Sequence, residues 1–497
     1  MITRRSFLLG SAAASAASCL RGTGKASVPS ITHGVQAGDV QADRAIVWAR
    51  CSEPARMIVE WSTTGSFANV HRVRGPVVGP ATDHTGWAAL ENLPAGQTIA
   101  YRIRFEREAA RGASAWAAGR FALPSPTKFR FAWSGDTCGQ GYGRNPAWGG
   151  LLGYKALREA QPAFFLNSGD LIYADNPILP EHRTLDGRLW RNISNERVAR
   201  VAQELDDFRA RFAYNFEDEH VRALAAEVPV IAQWDDHETR NNWWPKQILD
   251  DERYTIERDA SVLAARALRA TREWTPIGGP SIQRVIHYGP LLDVIVVDLR
   301  TFRTPNDDNR GTTGDMLGAR QAAWLVDALA RSTARWKVVA CDQPIALVIG
   351  DGPGDAGQEG YANGDAGPPL GRERELAGVL AGIAERNVTN VVWLTADVHY
   401  AAAHYFDPAR AVGAKVAPFW EFVAGPIHAG TFGPNALDPT FGPELKFQWA
   451  PPPGTGNLAP WDGLQSFGTV DVTADALHVA LVGIDGKPRY EVDLTAA

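Results

Sequence analysis

Five apolar runs in this chain each end in an aspartate, and that recurrence constrains the fold more than any other feature. They are Phe129-Arg130-Phe131-Ala132-Trp133-Ser134-Gly135-Asp136, Ala163-Phe164-Phe165-Leu166-Asn167-Ser168-Gly169-Asp170, Val228-Pro229-Val230-Ile231-Ala232-Gln233-Trp234-Asp235-Asp236, Trp336-Lys337-Val338-Val339-Ala340-Cys341-Asp342 and Val391-Val392-Trp393-Leu394-Thr395-Ala396-Asp397. Short apolar runs bounded by turn residues read as buried strands. Amphipathic segments over 148–160, 198–212, 261–274 and 319–330 alternate with them, which predicts an α/β layered domain over 127–497. Ligands of α/β sheets sit beyond the carboxyl ends of the strands, so the five acids are expected to converge. Convergent buried carboxylates repel and are costly until cations neutralise them, and a divalent or trivalent metal is the usual remedy. One aspartate after a strand is ordinarily a turn former or a helix cap. Five in succession, with His, Tyr and Cys attached, are the pattern of a metal site.

The chain is 497 residues long, which favours two or three domains. Ahead of the α/β region, residues 31–126 change period. Ala45-Ile46-Val47-Trp48-Ala49, Met57-Ile58-Val59-Glu60-Trp61 and Ile99-Ala100-Tyr101-Arg102-Ile103-Arg104-Phe105 alternate between Gly/Pro turns, which predicts a small β-sandwich. Leu123-Pro124-Ser125-Pro126 marks its boundary. Two Gly/Asp/Pro-rich stretches, 350–371 and 424–454, read as long loops of the kind that form lids or binding surfaces.

Residues 1–30 contain no acid and open on Thr3-Arg4-Arg5-Ser6-Phe7-Leu8-Leu9 before a run of small residues. They resemble a twin-arginine export signal, which implies the twin-arginine machinery as a partner and a periplasmic or secreted destination. Cys19 lacks the Leu three positions upstream that a lipid anchor favours. No later apolar stretch is long enough to cross a membrane. The net charge of -6 gives no global basic footprint, so nucleic acid held by bulk electrostatics is excluded. Hydrophobic residues at 45% and charged residues at 21% give a composition that folds. Beyond Cys19 only Cys51, Cys138 and Cys341 occur, so no disulfide framework is indicated, although Cys138 and Cys341 both end strands and a pairing between them is one reading.

Asp136-Thr137-Cys138, Asp170-Leu171-Ile172-Tyr173, Asp236-His237-Glu238 and Asp397-Val398-His399 follow the order and spacing of the metallophosphoesterase motifs. Gly169-Asp170-Leu171-Ile172-Tyr173-Ala174-Asp175, Trp234-Asp235-Asp236-His237-Glu238 with Asn241-Asn242-Trp243, Ala396-Asp397-Val398-His399 and the early His33-Gly34-Val35-Gln36-Ala37-Gly38-Asp39 resemble the alkaline phosphatase D (PhoD-like) family. The resemblance covers essentially the whole chain. It implies a four-layer α/β/β/α metallophosphoesterase sandwich preceded by a fibronectin type III-like β domain. It also implies an iron-type site around Asp136, Cys138, Asp170, Tyr173 and His399, with Asp170 bridging to a second site at Asp236, Asp342 and Asp397. Phenolate and thiolate suit Fe³⁺, while the all-oxygen second set favours one or two Ca²⁺. Cys138 stands where the family pattern has histidine, which sets its ligation apart from that of Asp170.

The activity so implied is hydrolysis of phosphate monoesters or diesters by metal-activated water. His237 follows a ligand directly and is expected to act as leaving-group acid or oxyanion stabiliser, with a second reading as a further ligand or a donor to one. Arg240, Asn241 and Asn242 are candidates for holding phosphate, a solvated loop being the alternative. Arg300 and Arg303 either hold phosphate or brace carboxylates. His404 and His428 read as structural. Small phosphate esters and phospholipid head groups are the expected substrates, the latter through a phospholipase D-like diesterase reading. A rival of another class is a calcium-stabilised surface binding protein.

Overall fold

The computed structural model describes residues 28–497 apart from 109, 110, 353 and 355. Most of the expected leader, including Arg4, Arg5 and Cys19, therefore lies outside the described residues. No described helix is long and apolar enough to cross a membrane.

The five acid-ending runs all form strands. Three of them, Lys128–Ser134, Phe165–Asn167 and Val230–Ala232, run parallel in a nine-stranded sheet. The other two, Trp336–Ala340 and Val391–Thr395, run parallel in a seven-stranded sheet between Leu292–Val296 and Phe419–Val423. Strand periodicity sends alternate side chains to opposite faces. Accordingly Leu292, Val294, Trp336 and Val338 join Phe131, Trp133, Val470 and Val479 in one cluster between the two sheets. Their neighbours Ile295, Val339 and Trp393 face Leu325, Leu329, Leu376 and Val379 of the helices Gly318–Arg331 and Glu373–Glu385. On the far side of the first sheet, Ala132 and Phe165 meet Leu157, Val221 and Leu224 of Leu152–Glu159 and Glu219–Glu227. The last of these helices is capped by Asp218, whose carboxylate accepts the His220 N–H, as an N-terminal Asp should.

Sequence periodicity did not reveal how the N-terminal β region joins the rest. Ala55–Ser62, His71–Val78, Thr98–Glu106 and Ala117–Ala122 form a separate four-stranded sheet. Ile31–Gly38, Ala45–Cys51 and Thr85–Leu90 instead extend the nine-stranded sheet. The crossing point is short. Gly38 pairs in parallel with Val230, and the Asp39 N–H donates to the Val230 carbonyl at 3.1 Å. Asp39 then holds Arg284 through two contacts of 2.8 Å, and Arg284 also donates to the Ala232 carbonyl at 2.9 Å.

The two expected loops are only partly irregular. The stretch 350–371 contains a small hairpin of Gly350–Asp351 and Gly357–Gln358, and 424–454 contains the strand Pro443–Trp449. Three strands at the end of the chain, Ser466–Thr473, Ala476–Gly483 and Pro488–Thr495, complete the nine-stranded sheet beside Lys128–Ser134.

Candidate metal centre

Three of the five acid-ending strands stop in a left-handed turn. Asp136, Asp170, Asp397 and His399 all take positive φ, between 48° and 68°. Asp tolerates this left-handed region better than most residues, and such strain gathers at functional sites. Gly169, at φ 98°, leaves no room for a side chain, because a Cβ there would lie 2.4 Å from the Cβ of Asp235. The Gly-Asp pairing of the motif is thus a steric necessity. Gly425 plays the same part from the opposite sheet, where a Cβ would lie 2.4 Å from Asp136 Oδ2.

These turns bring together three overlapping groups, each with ligand atoms within 4.8 Å of one another: Asp136, Asp170 and His399; Asp170, Asp236 and His237; and Asp235, Asp236 and Asp397. Asp170 is common to the first two groups, and Asp236 to the second and third. Tyr173 belongs with the first, its hydroxyl 2.8 Å from His399 Nε2. The His399 Nδ1 faces the Gly430 carbonyl at 2.5 Å, which fixes the N–H there and leaves Nε2 with its lone pair inward. Burial lowers the His399 pKa to about 4, so the imidazole is neutral and ready to act as a ligand.

Electrostatics mark the site as short of positive charge. Burial, then Asp235, pushes the Asp136 carboxyl well up, and burial, then Asp236, does the same to Asp170. Burial also disfavours ionisation of Asp236, but His237 and Arg300 draw its pKa down to about 2. Asp136 Oδ1 and Oδ2, Asp235 Oδ2, Asp236 Oδ1 and Asp342 Oδ2 are buried without a hydrogen-bond partner. Unmet buried carboxylate oxygens in one place are the signature of a missing cation, so the residues present fit a metal pair.

Several residues fall elsewhere than the sequence implied. The Cys138 thiol joins neither the first group nor a disulfide. It is buried among Leu151, Tyr154, Leu157 and Ile427, and Cys341 is equally free. The reason is the reversal at Thr137 and Cys138, where the Cys138 N–H donates to the His428 carbonyl and turns the thiol into the apolar core. Asp342 lies beside the third group and outside it. One oxygen accepts from Gln233 at 3.1 Å and the other is 3.4 Å from Arg300 Nε. Asp235, which the sequence reading did not count as a ligand, stands in the third group with Asp236 and Asp397. Arg240 donates to the Asn241 carbonyl and contacts no acid of the site. Asn241 is exposed, its backbone N–H held by Asp175 at 3.0 Å. The Asn242 side chain is engaged by Asp351 at 2.9 Å, while its backbone N–H donates to Asp236 at 2.5 Å. His404 pairs with Glu421 at 2.8 Å and His428 with the Gly143 carbonyl at 3.3 Å, both away from the acids.

Arg300 braces carboxylates. Wholly buried, it grips Asp235 and Glu359 and stands 3.6 Å from Asp397. Arg303 adds a second contact to Glu359 at 3.4 Å. Glu359 left no sequence signal, since it lies in a Gly-rich loop. Glu238 has one: it closes the third motif and accepts the Asp235 N–H at 2.7 Å and the Leu171 N–H, which orients the turn. Asp175, five residues after Asp170, contacts His237 Nδ1 at 2.6 Å. The imidazole also packs against the Tyr173 ring, with centroids 4.2 Å apart and planes tilted by 32°.

Residues 131–480 match the family described as PhoD-like phosphatase, and residues 14–123 its N-terminal domain. The chain belongs to the PhoD-like phosphatase family. Alkaline phosphatase D of Bacillus subtilis (strain 168) is 27% identical over 401 residues, covering 74% of this chain and 64% of that protein. The chain thus matches somewhat less than two thirds of that relative's length. A solved structure of PhoD superposes with a TM-score of 0.69 at 20% identity, over 95% of this chain and 90% of that one. A purple acid phosphatase from yellow lupin seeds gives 0.57 at 12% identity, over 94% and 74%. At these identities the two structures speak for a shared fold.

Proposed function

We propose that this protein is an exported metal-dependent phosphoesterase that hydrolyses phosphate monoesters or diesters. The observation that carries the reading is the placement of His237. Its imidazole stands within 4.8 Å of Asp170 and Asp236, and its Nδ1 is committed to Asp175. That leaves Nε2 as the nitrogen available to a substrate, and the imidazolium held in this way presents the Nε2–H that a general acid requires. Burial opposes its protonation, yet Asp175 and Asp236 raise its pKa to about 9, so it holds a proton at neutral pH.

Asp136, Asp170, Tyr173 and His399 would hold an iron-type ion, since a buried phenolate favours a strongly acidic cation such as Fe³⁺. Asp235, Asp236 and Asp397 offer only oxygen and suit Ca²⁺. When bound, such a pair supplies an activated water and neutralises the phosphoryl charge. The protein's own residues do the rest: Asp170 links Asp136 and His399 on one side to Asp236 on the other, the tilted Tyr173 ring backs the His237 imidazole, Asp175 orients it, and His237 delivers a proton to the leaving oxygen. Arg300, saturated by Asp235 and Glu359, steadies the ligands and is not free to grip phosphate. The alternation of clustered faces between sheets and helices supports an α/β/β/α layering of the domain, and the arginine pair near the N-terminus supports export.

Turnover of a nitrophenyl monoester, its bis-ester and phosphatidylcholine, assayed side by side on protein of known metal content, tests the reading. Cleavage of either nitrophenyl ester supports it. Cleavage of phosphatidylcholine alone points to a phospholipase D-like enzyme, and no cleavage of any ester by metal-loaded protein overturns it.

A further inference from the structure

Arg211 is 1% exposed, yet among the described residues no carboxylate pairs with it. A buried charge without a counter-ion is unfavourable, so a guanidinium is kept inside only where its donors are needed. The donors go to backbone carbonyls: Nη1 to Asn176 at 2.6 Å, and Nη2 to Arg200 at 2.6 Å and to Ala174 at 3.5 Å. Two of these three residues flank Asp175, the carboxylate on His237 Nδ1. Burial draws the Arg211 pKa down to about 10, so the group stays charged at neutral pH.

The helix that carries it, Leu205–Phe216, lays a second anchor on the same segment. Asn215, also buried, stands one turn on from Arg211, and positions four apart share a helix face. Its Nδ2 donates to the Leu171 carbonyl at 2.8 Å. The run from Leu171 to Asn176, which carries Tyr173 and Asp175, is therefore pinned at both ends to one helix. Between the anchors, the Ala174 N–H donates to the His237 carbonyl at 2.7 Å. Arg253 also reaches the Asp175 carbonyl, at 3.2 Å, but its side chain is half exposed and holds the segment only from the solvent side.

We infer that Arg211 is a positioning residue of the hydrolysis: by holding Asn176 and Ala174 it sets Asp175 against the imidazole and so aims His237 Nε2 at the leaving oxygen, a role that rests on the general-acid reading of His237. Asn215 secures the end of the segment next to Asp170, and Arg211 the end next to Asp175. The residue type follows from the task, since a planar guanidinium offers several donors in fixed directions and the single ammonium of lysine does not. Replacing Arg211 therefore loosens the aim of the proton donor and leaves the metal ligands where they are.

Leaving-group dependence tests this. An ester whose leaving group is already a weak base needs no proton from His237, whereas phenyl phosphate does. With dinitrophenyl phosphate and phenyl phosphate assayed side by side, Arg211→Lys is expected to lower kcat/KM about tenfold or more for the phenyl ester and less than about threefold for the dinitrophenyl ester, with metal content unchanged. His237→Ala should show the same selectivity more strongly. Adding Arg211→Lys to it should bring no further loss, because two residues acting through one proton transfer are not additive. Equal losses on both esters in Arg211→Lys, beside a selective His237→Ala, overturn the inference and leave the His237 reading standing. Equal losses in His237→Ala overturn the reading and the inference together. Loss of metal from Arg211→Lys also overturns the inference, because the residue would then serve the Asp170 turn. Where Arg211→Lys folds poorly, Arg211→Ala with added guanidinium takes its place. Selective recovery of phenyl phosphate turnover, not reproduced by urea at the same concentration, is then expected, and recovery with neither overturns the inference.

Discussion

The Nδ1 of His237 lies 2.6 Å from Oδ1 of Asp175, and the backbone N–H of His237 donates to Asp170 at 3.1 Å. One residue is thus clamped at both ends, by a carboxylate that orients its ring and by the carboxylate central to the metal groups. Replacing His237 by Ala removes the proton donor and leaves the ligands in place. Turnover is expected to fall about 10²- to 10⁴-fold, with metal content near wild type. Intact turnover would remove His237 from the mechanism.

The same pair fixes a pH dependence. The proton that His237 donates is bound below its pKa, raised to about 9 chiefly by Asp175 against the effect of burial. The rate is therefore expected to hold through neutral pH and to fall as pH rises past this value. Asp175→Asn removes the charge that raises the pKa, so the falling limb of kcat/KM should move to lower pH. An unmoved limb would assign it to another group.

Asp170 groups with Asp136 and His399 on one side and with Asp236, a member of the calcium-type set, on the other, so Asp170→Asn is expected to cost both metals and activity together, read by elemental analysis and turnover. Loss of one metal with the other retained would show that it serves a single site.

Gly425 brings the second sheet against Asp136 at a point that a methyl group would close. With Gly425→Ala, φ 145° becomes strained and Asp136 is pushed from its group. The expected outcome is loss of the iron-type metal with the far-ultraviolet circular dichroism retained.

Stability should decline in mild acid. Burial lowers the pKa of His33 and of His428 to about 4. Unfolded, each takes a proton near 6.5, so between about 6.5 and 4 the unfolded chain binds more protons than the native one, and stability present above 6.5 is lost as pH falls. The loss is at most about 1.4 kcal/mol per pH unit for each group. Urea midpoints at pH 7 and pH 5 check it, and His428→Gln should flatten the difference.

The five strands and their acids were legible because an apolar run ending in Asp carries both burial and chemistry in contiguous residues. Asp136, Asp170, Asp236 and Asp397 could be placed at one edge on that ground, and Tyr173 and His399 joined them through the motif spacing and the family resemblance. What the sequence concealed was contact between distant segments. Asp235 joins Asp236 and Asp397 where Arg300, some sixty residues on, grips it, a contact that no local pattern announces. Cys138 sits two residues after a ligand, yet a reversal of the backbone at Thr137 sends its thiol into the core. Glu359 lies in a loop whose composition advertises only turns.

The parallel contact of Gly38 with Val230 joins positions roughly 190 residues apart, from 38 to 230. Long-range parallel pairing is slow, since the closure entropy must be met before the contact is gained. The first described strand, Ile31–Gly38, therefore cannot complete its sheet until nearly half the protein has been synthesised, and any fragment that stops before Val230 carries an open, aggregation-prone edge. A chain built in this way matures as a unit, its opening strand serving as a check that the strands behind it have arrived.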